Sequence, residues 1–130
     1  MNQEEALRRA RLIVQLAEER AAARTAKTKN RLLFRLYATA ADLEAAGIGL
    51  SPLLESHLEH PSPDVRCTLA ALLLREKNDK AVRVLEELVL AEDVRGFSPV
   101  TAKYTLFEWR AGRLAPLSTL VENARRSESR

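Results

Sequence analysis

Two histidines and two glutamates stand close together near the middle of the chain, as Glu55, His57, Glu59 and His60. In a helix, the i, i+3 spacing of the histidines places both imidazoles on neighbouring positions of one face, and zinc accepts imidazole and carboxylate ligands. A zinc site needs three or four rigidly held ligands, and the sequence offers no further histidine and one cysteine. We therefore expect polar residues at a helix end, suited to the helix dipole, and no metal.

The one cysteine, Cys67, precedes a run of apolar residues. A nucleophilic thiol needs a nearby base, whereas these surroundings predict a buried and inert thiol. The sequence contains no G-x-S-x-G, Gly-rich phosphate loop, H-E-x-x-H or Asp-rich calcium loop. We expect a protein with no enzymatic activity and no cofactor. A small enzyme that uses His57, His60 and a carboxylate is left as an alternative.

Basic residues recur along the first part of the chain at steps of four, three, four and four. On helical geometry they would form one stripe, which is the best argument for nucleic-acid binding. Residues 1–35 hold nine Lys and Arg against four Asp and Glu, but residues 36–124 hold nine against thirteen. Rows of charge are also usually solvated faces, so nucleic-acid binding is the alternative function. The stripe consists of Arg20, Arg24, Lys27, Arg31 and Arg35.

Helices are the elements that must position these residues. Hydrophobic residues make up 46% of the 130 residues and aromatic residues only 5%, because the apolar set consists mainly of Ala and Leu. A chain of this length fits one domain. The pairs Ser51-Pro52, Ser62-Pro63 and Ser98-Pro99 each precede an amphipathic run, as expected of a Ser N-cap followed by Pro at the first helical position.

Seven helices are predicted, with no strand between them. The first boundary is ambiguous, because no Gly or Pro lies between residues 3 and 46 and one long helix is possible. We favour a break near residues 27–30, where Thr28 or Asn30 could cap a second helix. The predicted ranges are 3–27, 30–46, 52–59, 63–76, 79–92, 99–111 and 116–126.

Localisation is predicted from what the sequence lacks. One cysteine excludes an internal disulfide and gives no sign of an oxidising compartment. The first residues mix charged and apolar types, unlike the apolar core of a secretory signal, and the longest apolar run is far shorter than the ~20 residues of a membrane span. We expect a cytoplasmic protein that does not enter a membrane.

Residues 50–92 resemble a HEAT-type repeat, in which an apolar helix ends in a Pro-containing turn and an Asp-Val-Arg-like stretch with an Ala pair follows. The chain as a whole is similar to short, single-domain bacterial HEAT-like proteins, some of which are encoded beside toxins and are suspected immunity proteins. In that family the polar residues of the signature tie successive repeats together. The signature positions here are Pro63, Asp64, Val65, Arg66, Ala70, Ala71 and Leu73.

The resemblance implies a short HEAT-like α-solenoid of about three helical hairpins. The spacing of 36 residues between Ser62 and Ser98 agrees with such a repeat, and stacked repeats bury the faces that each hairpin alone leaves open. The predicted single domain spans residues 1–130. Its parts are a capping helix at 1–28 and hairpins at 30–60, 63–93 and 98–126.

In HEAT-like stacks the second helix of each hairpin lines the concave face, which here implies the helices at 52–59, 79–92 and 116–126. The first two of these are rich in carboxylates, so we expect a protein-binding module, an immunity or regulatory protein, that captures a basic partner. The alternative is that the carboxylates only keep a Leu-rich helix soluble. The predicted partner-binding residues are Glu55, Glu59, Arg83, Glu86, Glu87 and Trp109.

Overall fold

A computed structural model describes residues 1–91 and 97–128, and the regular secondary structure within these ranges is entirely helical. The predicted all-helical class is confirmed. The predicted ends of a helix at residue 92 and of a hairpin at residue 93 lie outside the described residues. The elements are α1 (Gln3–Ala22), α2 (Ala26–Ala45), α3 (Ser51–Leu54), a 3₁₀ helix (Glu55–Glu59), α4 (Pro63–Leu74), α5 (Asp79–Leu90), α6 (Pro99–Arg110) and α7 (Leu117–Glu128).

Side-chain caps determine where several helices begin. Ser62, Asn78 and Ser98 each accept a hydrogen bond from a backbone N–H two or three residues later, at 3.3, 3.0 and 3.3 Å. These bonds satisfy N–H groups that have no partner inside the helix. The predicted starts of α4, α5 and α6 are therefore confirmed. Gly47 and Gly112, with φ of +76° and +71°, follow α2 and α6 in the left-handed conformation that glycine tolerates best.

The first two helices are separate, but they separate earlier than the expected residues 27–30. Ala23 has extended backbone (φ −69°, ψ 144°), which ends α1. The Oγ1 atom of Thr25 then accepts a hydrogen bond from the N–H of Thr28 at 3.2 Å. Thr25 is therefore the N-cap of α2, and neither Thr28 nor Asn30 has that role. The short connection lets α1 and α2 pack against each other.

The start of α3 differs from the Ser-Pro prediction. Ser51 is the first residue of the helix, and its side chain does not cap it. Instead Glu76, which follows α4, accepts hydrogen bonds from the backbone N–H groups of Leu50 and Ser51, both at 2.7 Å. The side-chain amide of Asn78 also donates to Ser51 Oγ at 3.1 Å. A carboxylate from a distant part of the chain thus performs the capping that a local serine was expected to perform.

Helix α4 lies at the centre of the core. Leu69, Ala70, Leu72, Leu73 and Leu74 have no accessible surface, and α4 packs against α1, α5, α6 and the 3₁₀ helix. Burial of one leucine side chain contributes about 1.5–3 kcal/mol, so this helix is a large source of hydrophobic stabilisation. The apolar run from Leu69 to Leu74 is thus covered on several sides.

The packing order does not confirm a solenoid of three successive hairpins. α5 packs between α4 and α6, but the main packing partners of α2 are α1 and α7. A long-range contact accompanies this arrangement, because Arg75 donates from Nε to the backbone oxygen of Ala115, just before α7, at 2.8 Å. Arg75 also donates to the backbone oxygen of Ala71 at 2.7 Å. The final helix therefore contacts the second helix of the chain, unlike the last member of an open stack.

Replacement of the distant cap should destabilise the fold. We expect Glu76→Ala to lower the free energy of unfolding by about 1–2 kcal/mol, because two N–H groups at the start of α3 lose a charged acceptor. The control is Glu87→Ala, which removes an exposed glutamate of α5. Urea denaturation measures both variants. Equal stability of Glu76→Ala and the control would contradict the capping role.

Candidate functional site

The predicted partner-binding residues lie on three neighbouring elements, with α5 between the 3₁₀ helix and α6. Glu55 in the 3₁₀ helix pairs with Lys80 in α5 at 3.3 Å. Glu86 in α5 pairs with Arg110 in α6 at 3.3 Å. Two of the four predicted carboxylates thus already have cations of the same chain as partners. Each such exposed pair contributes little to stability.

The remaining predicted residues have different environments. Glu59, Arg83 and Glu87 are exposed, and none of them forms an ion pair with another described residue. Trp109 is half-buried and packs against the core, with Arg110 beside it in a shallow depression. Helix α7, which was expected to continue the same face, contacts α2 instead. The candidate face is therefore formed by the 3₁₀ helix, α5 and α6.

An apolar groove between α5 and α6 is the feature that the sequence reasoning missed. Val89, Leu90, Leu106 and Phe107 form its apolar lining, and its volume is about 650 Å³. Leu90 is 79% exposed and Phe107 is 61% exposed. We call this feature the α5–α6 groove. The charged residues that also line it are Glu86, Lys103 and Arg110.

Helix α6 has a second apolar face. The spacing of its apolar residues in the sequence was the signal from which this face could have been predicted. Val100, Tyr104 and Phe107 are exposed at i, i+4 and i+7, which places them on one side of a helix. Ala102 and Leu106 are buried on another side. A helix that is apolar on both a core face and a solvent face indicates a second partner for the solvent face.

Arg113, just after α6, contacts the exposed ring of Phe107. The guanidinium of Arg113 lies 5.2 Å from the centroid of the Phe107 ring, which is within the range of a cation–π contact. Arg113 also donates two hydrogen bonds to the Glu108 carboxylate, at 3.0 and 3.2 Å. These bonds lower the pKa of Glu108. The Phe107 ring therefore has a charged neighbour while it remains exposed.

The predicted basic stripe is divided by the connection between α1 and α2. Lys27, Arg31 and Arg35 are exposed at i, i+4 intervals along α2, and Arg24 is exposed in the connection. Arg20 belongs to α1 and lines a separate depression that is open to solvent. The prediction of one stripe assumed helical geometry through residues 23–25, where the backbone is not helical. The structure therefore keeps three of the five residues on one helix face.

The histidines have structural contacts. His60 Nδ1 accepts a hydrogen bond from the N–H of Ser62 at 3.0 Å. The neutral imidazole then carries its proton on Nε2, which lies 3.1 Å from a carboxylate oxygen of Glu18. The backbone oxygen of His57 accepts from the N–H of His60 at 3.1 Å. Among the described residues, no three His, Cys, Asp or Glu side chains converge in a metal-binding group.

Cys67 is buried in α4. Burial, followed by the nearby charge of Asp64, raises the pKa of its thiol to about 11. A thiol with this pKa stays protonated at neutral pH, and the thiolate is the reactive form. The described surroundings of Cys67 therefore favour an unreactive side chain.

The comparisons with known proteins give no relative for this chain. No family model, no curated protein and no solved structure matches it. Within residues 1–91 and 97–128, none of the helices has the length and apolar character that spanning a membrane requires.

Proposed function

We propose that this protein is a non-enzymatic protein-binding module whose contact surface is the α5–α6 groove. The observation that carries the proposal is the exposure of two residues that line the groove from neighbouring helices, Leu90 at 79% and Phe107 at 61%. Tyr104, which is 64% exposed, extends the apolar surface along α6 beyond the groove. Single exposed apolar residues are common, but several on adjacent helix faces indicate a surface that a partner covers. Burial of this area contributes about 25 cal/mol for each Å² removed from water.

The shape of the groove favours an amphipathic helix as the occupant. Grooves between two packed helices commonly receive the apolar side of a third helix, with side chains inserted at i, i+3 or i+4 intervals. Val89 and Leu106 also line the groove, where Val89 is partly buried and Leu106 is buried, whereas Leu90 and Phe107 are exposed. The partner would insert apolar side chains there and leave its polar side in solvent.

The charges of the candidate face favour a basic partner. Glu59, Asp79 and Glu87 are exposed carboxylates of the 3₁₀ helix and α5 that form no ion pair with another described residue. The exposed cations without such a pair are Arg83 on α5 and Lys103 at the groove itself. A basic segment would gain long-range attraction from this imbalance, which mainly speeds association. The carboxylates of Glu55 and Glu86 contribute less, because Lys80 and Arg110 already partly neutralise them.

The HEAT-like interpretation of residues 50–92 is part of the same proposal. Arg66 donates from Nη1 to the backbone oxygens of His60 and Pro61, at 2.7 and 3.2 Å, which supports a structural role at the turn before α4. Val65 and Ala70 are buried at positions that resemble the repeat signature. A cytoplasmic immunity or regulatory protein is the class of binding protein that this resemblance implies.

Nucleic-acid binding through Lys27, Arg31 and Arg35 is the second candidate. These three cations are exposed on one face of α2, and none of them pairs with another described residue. Binding by phosphate contacts weakens steeply with added salt. Under the groove proposal, a mixed DNA or RNA oligonucleotide does not bind even at low salt. Salt-sensitive binding that is lost in a triple Gln variant of these residues would favour this candidate instead.

A peptide library tests the groove directly. Displayed helical peptides selected on the wild-type protein should be enriched in apolar residues at i, i+4 spacing together with Lys and Arg. Phe107→Glu should weaken the enriched peptides by about tenfold or more, because a central aromatic contact is lost and a charge is added. Fluorescence anisotropy measures the affinity.

Leu7→Glu is the matched control for that experiment. Leu7 is also an exposed apolar residue, at 44%, but it lies on α1 away from the groove, so its substitution should leave peptide affinity unchanged. Sedimentation of the free protein tests whether a second copy occupies the groove. The proposal would be contradicted if no peptide were selected, or if Phe107→Glu and Leu7→Glu lost peptide affinity equally.

Charge reversal tests the preference for a basic partner. We expect the double variant Glu59→Lys, Glu87→Lys to slow association of an enriched basic peptide at low salt, with a smaller effect at high salt because salt screens exposed charges. Glu44→Lys changes an exposed glutamate of α2 and is the control. Stopped-flow fluorescence measures the association rates. An unchanged rate in the double variant would show that the carboxylates only solubilise the protein.

A further inference from the structure

Helix α6 has the properties that the proposed function requires of an occupant of the α5–α6 groove. Its exposed apolar residues Val100, Tyr104 and Phe107 are spaced at i, i+4 and i+7. The exposed charged residues that it contributes to the groove, Lys103 and Arg110, are both cations. The surface of one copy of this chain therefore holds both a groove and a basic amphipathic helix of the kind that the groove would receive.

The groove carries different charges toward its two ends. Arg110 donates from Nη2 to Oε2 of Glu86 at 3.3 Å, so this carboxylate lies level with the last turn of α6. Lys103 precedes Arg110 by seven residues, which is about 10 Å along a helix. Its ammonium forms no ion pair with another described residue, and Oε1 of Glu86 has no partner among them. An unpaired cation and a free carboxylate oxygen thus lie toward opposite ends of the groove, with Phe107 between them along α6.

These positions complement each other when two copies meet about a two-fold axis with their α6 helices antiparallel. The two surfaces of such a pair make the same contacts in both directions. An axis near Phe107 brings each Lys103 to the Glu86 end of the other groove and covers Leu90 and Phe107 of both copies. A parallel arrangement would instead place the two Lys103 side chains together, and like charges in contact disfavour association.

We propose that the free protein forms a reversible two-fold dimer in which α6 of each copy covers the α5–α6 groove of the other. This inference rests on the proposed function, because it names an occupant of the same groove. It also gives the groove a form of regulation. A partner helix must displace the second copy, so its apparent affinity falls as the concentration of this protein rises. The apolar patch is covered by protein in both states.

Sedimentation equilibrium of the full chain tests the dimer. We expect the mass of the wild-type protein to rise from one chain to two between low micromolar and submillimolar concentrations. Phe107→Glu places a charge at the centre of the contact and should raise the dissociation constant at least about tenfold. Leu7→Glu changes an exposed apolar residue of α1 and should leave the dimer unchanged. Addition of a helical peptide selected on the groove should return the wild-type protein to one chain.

Two charge reversals test the antiparallel pairing. Lys103→Glu places two glutamates together at each end of the dimer, and Glu86→Lys places two lysines there, so either change alone should raise the dissociation constant at least about tenfold. In an equimolar mixture, the two variants restore opposite charges at both ends of the mixed dimer, and association should recover. This recovery also separates the pairing between copies from the loss of the Glu86–Arg110 ion pair within one copy. Arg11→Glu on α1 and Glu44→Lys on α2 change exposed charges elsewhere and should have no effect.

The outcomes separate this inference from the proposed function. A wild-type protein that stays a single chain at every concentration but binds selected peptides would overturn the dimer and leave the proposed function in place. Unchanged association of Phe107→Glu, or a mixture of the two charge variants that stays monomeric, would also overturn the inference. So would a peptide bound to an intact dimer, because the groove would then not be the surface that the second copy covers. A dimer that responds to the variants as expected, without any selected peptide, would support the inference and contradict the proposed helical partner.

Discussion

Helix α4 has almost no side that water can contact, and the positions of the other elements follow from this constraint. Its leucines at 69, 72, 73 and 74 are fully buried, so α1, α5, α6 and the 3₁₀ helix must cover it from several directions. Once these elements have packed on α4, the residues that each of them exposes to solvent are determined. The α5–α6 groove is a consequence of which sides α5 and α6 turn toward α4.

Local sequence signals predicted the helices, because capping depends on neighbouring residues. Ser62 and Ser98 bond to N–H groups within three residues, so their Ser-Pro pairs were sufficient to locate α4 and α6. Ser51 precedes a proline in the same way, yet Glu76 supplies the cap. No local pattern contains the information that a carboxylate 25 residues away will reach this helix start.

Tertiary packing explains why the site was only partly predictable. The acidic character of the 3₁₀ helix and α5 was visible in the sequence, but the pairing of Glu55 with Lys80 and of Glu86 with Arg110 depends on which helices become neighbours. The basic stripe was predicted across residues 23–25, which are not helical, so Arg20 lies on a different helix from Lys27, Arg31 and Arg35. The apolar spacing on α6 was present in the sequence and was missed, because one apolar face is normally the core face.

Hydrogen exchange of backbone amides measures most directly how far the fold depends on the enclosure of α4. If the fold depends on the enclosure of α4, then the amides of Leu69 to Leu74 exchange only when the whole protein unfolds, and their exchange free energies equal the global free energy of unfolding. The amides of α6, which has an exposed apolar face, should exchange no more slowly than these. Faster exchange in α4 than in α1 or α2 would contradict the account.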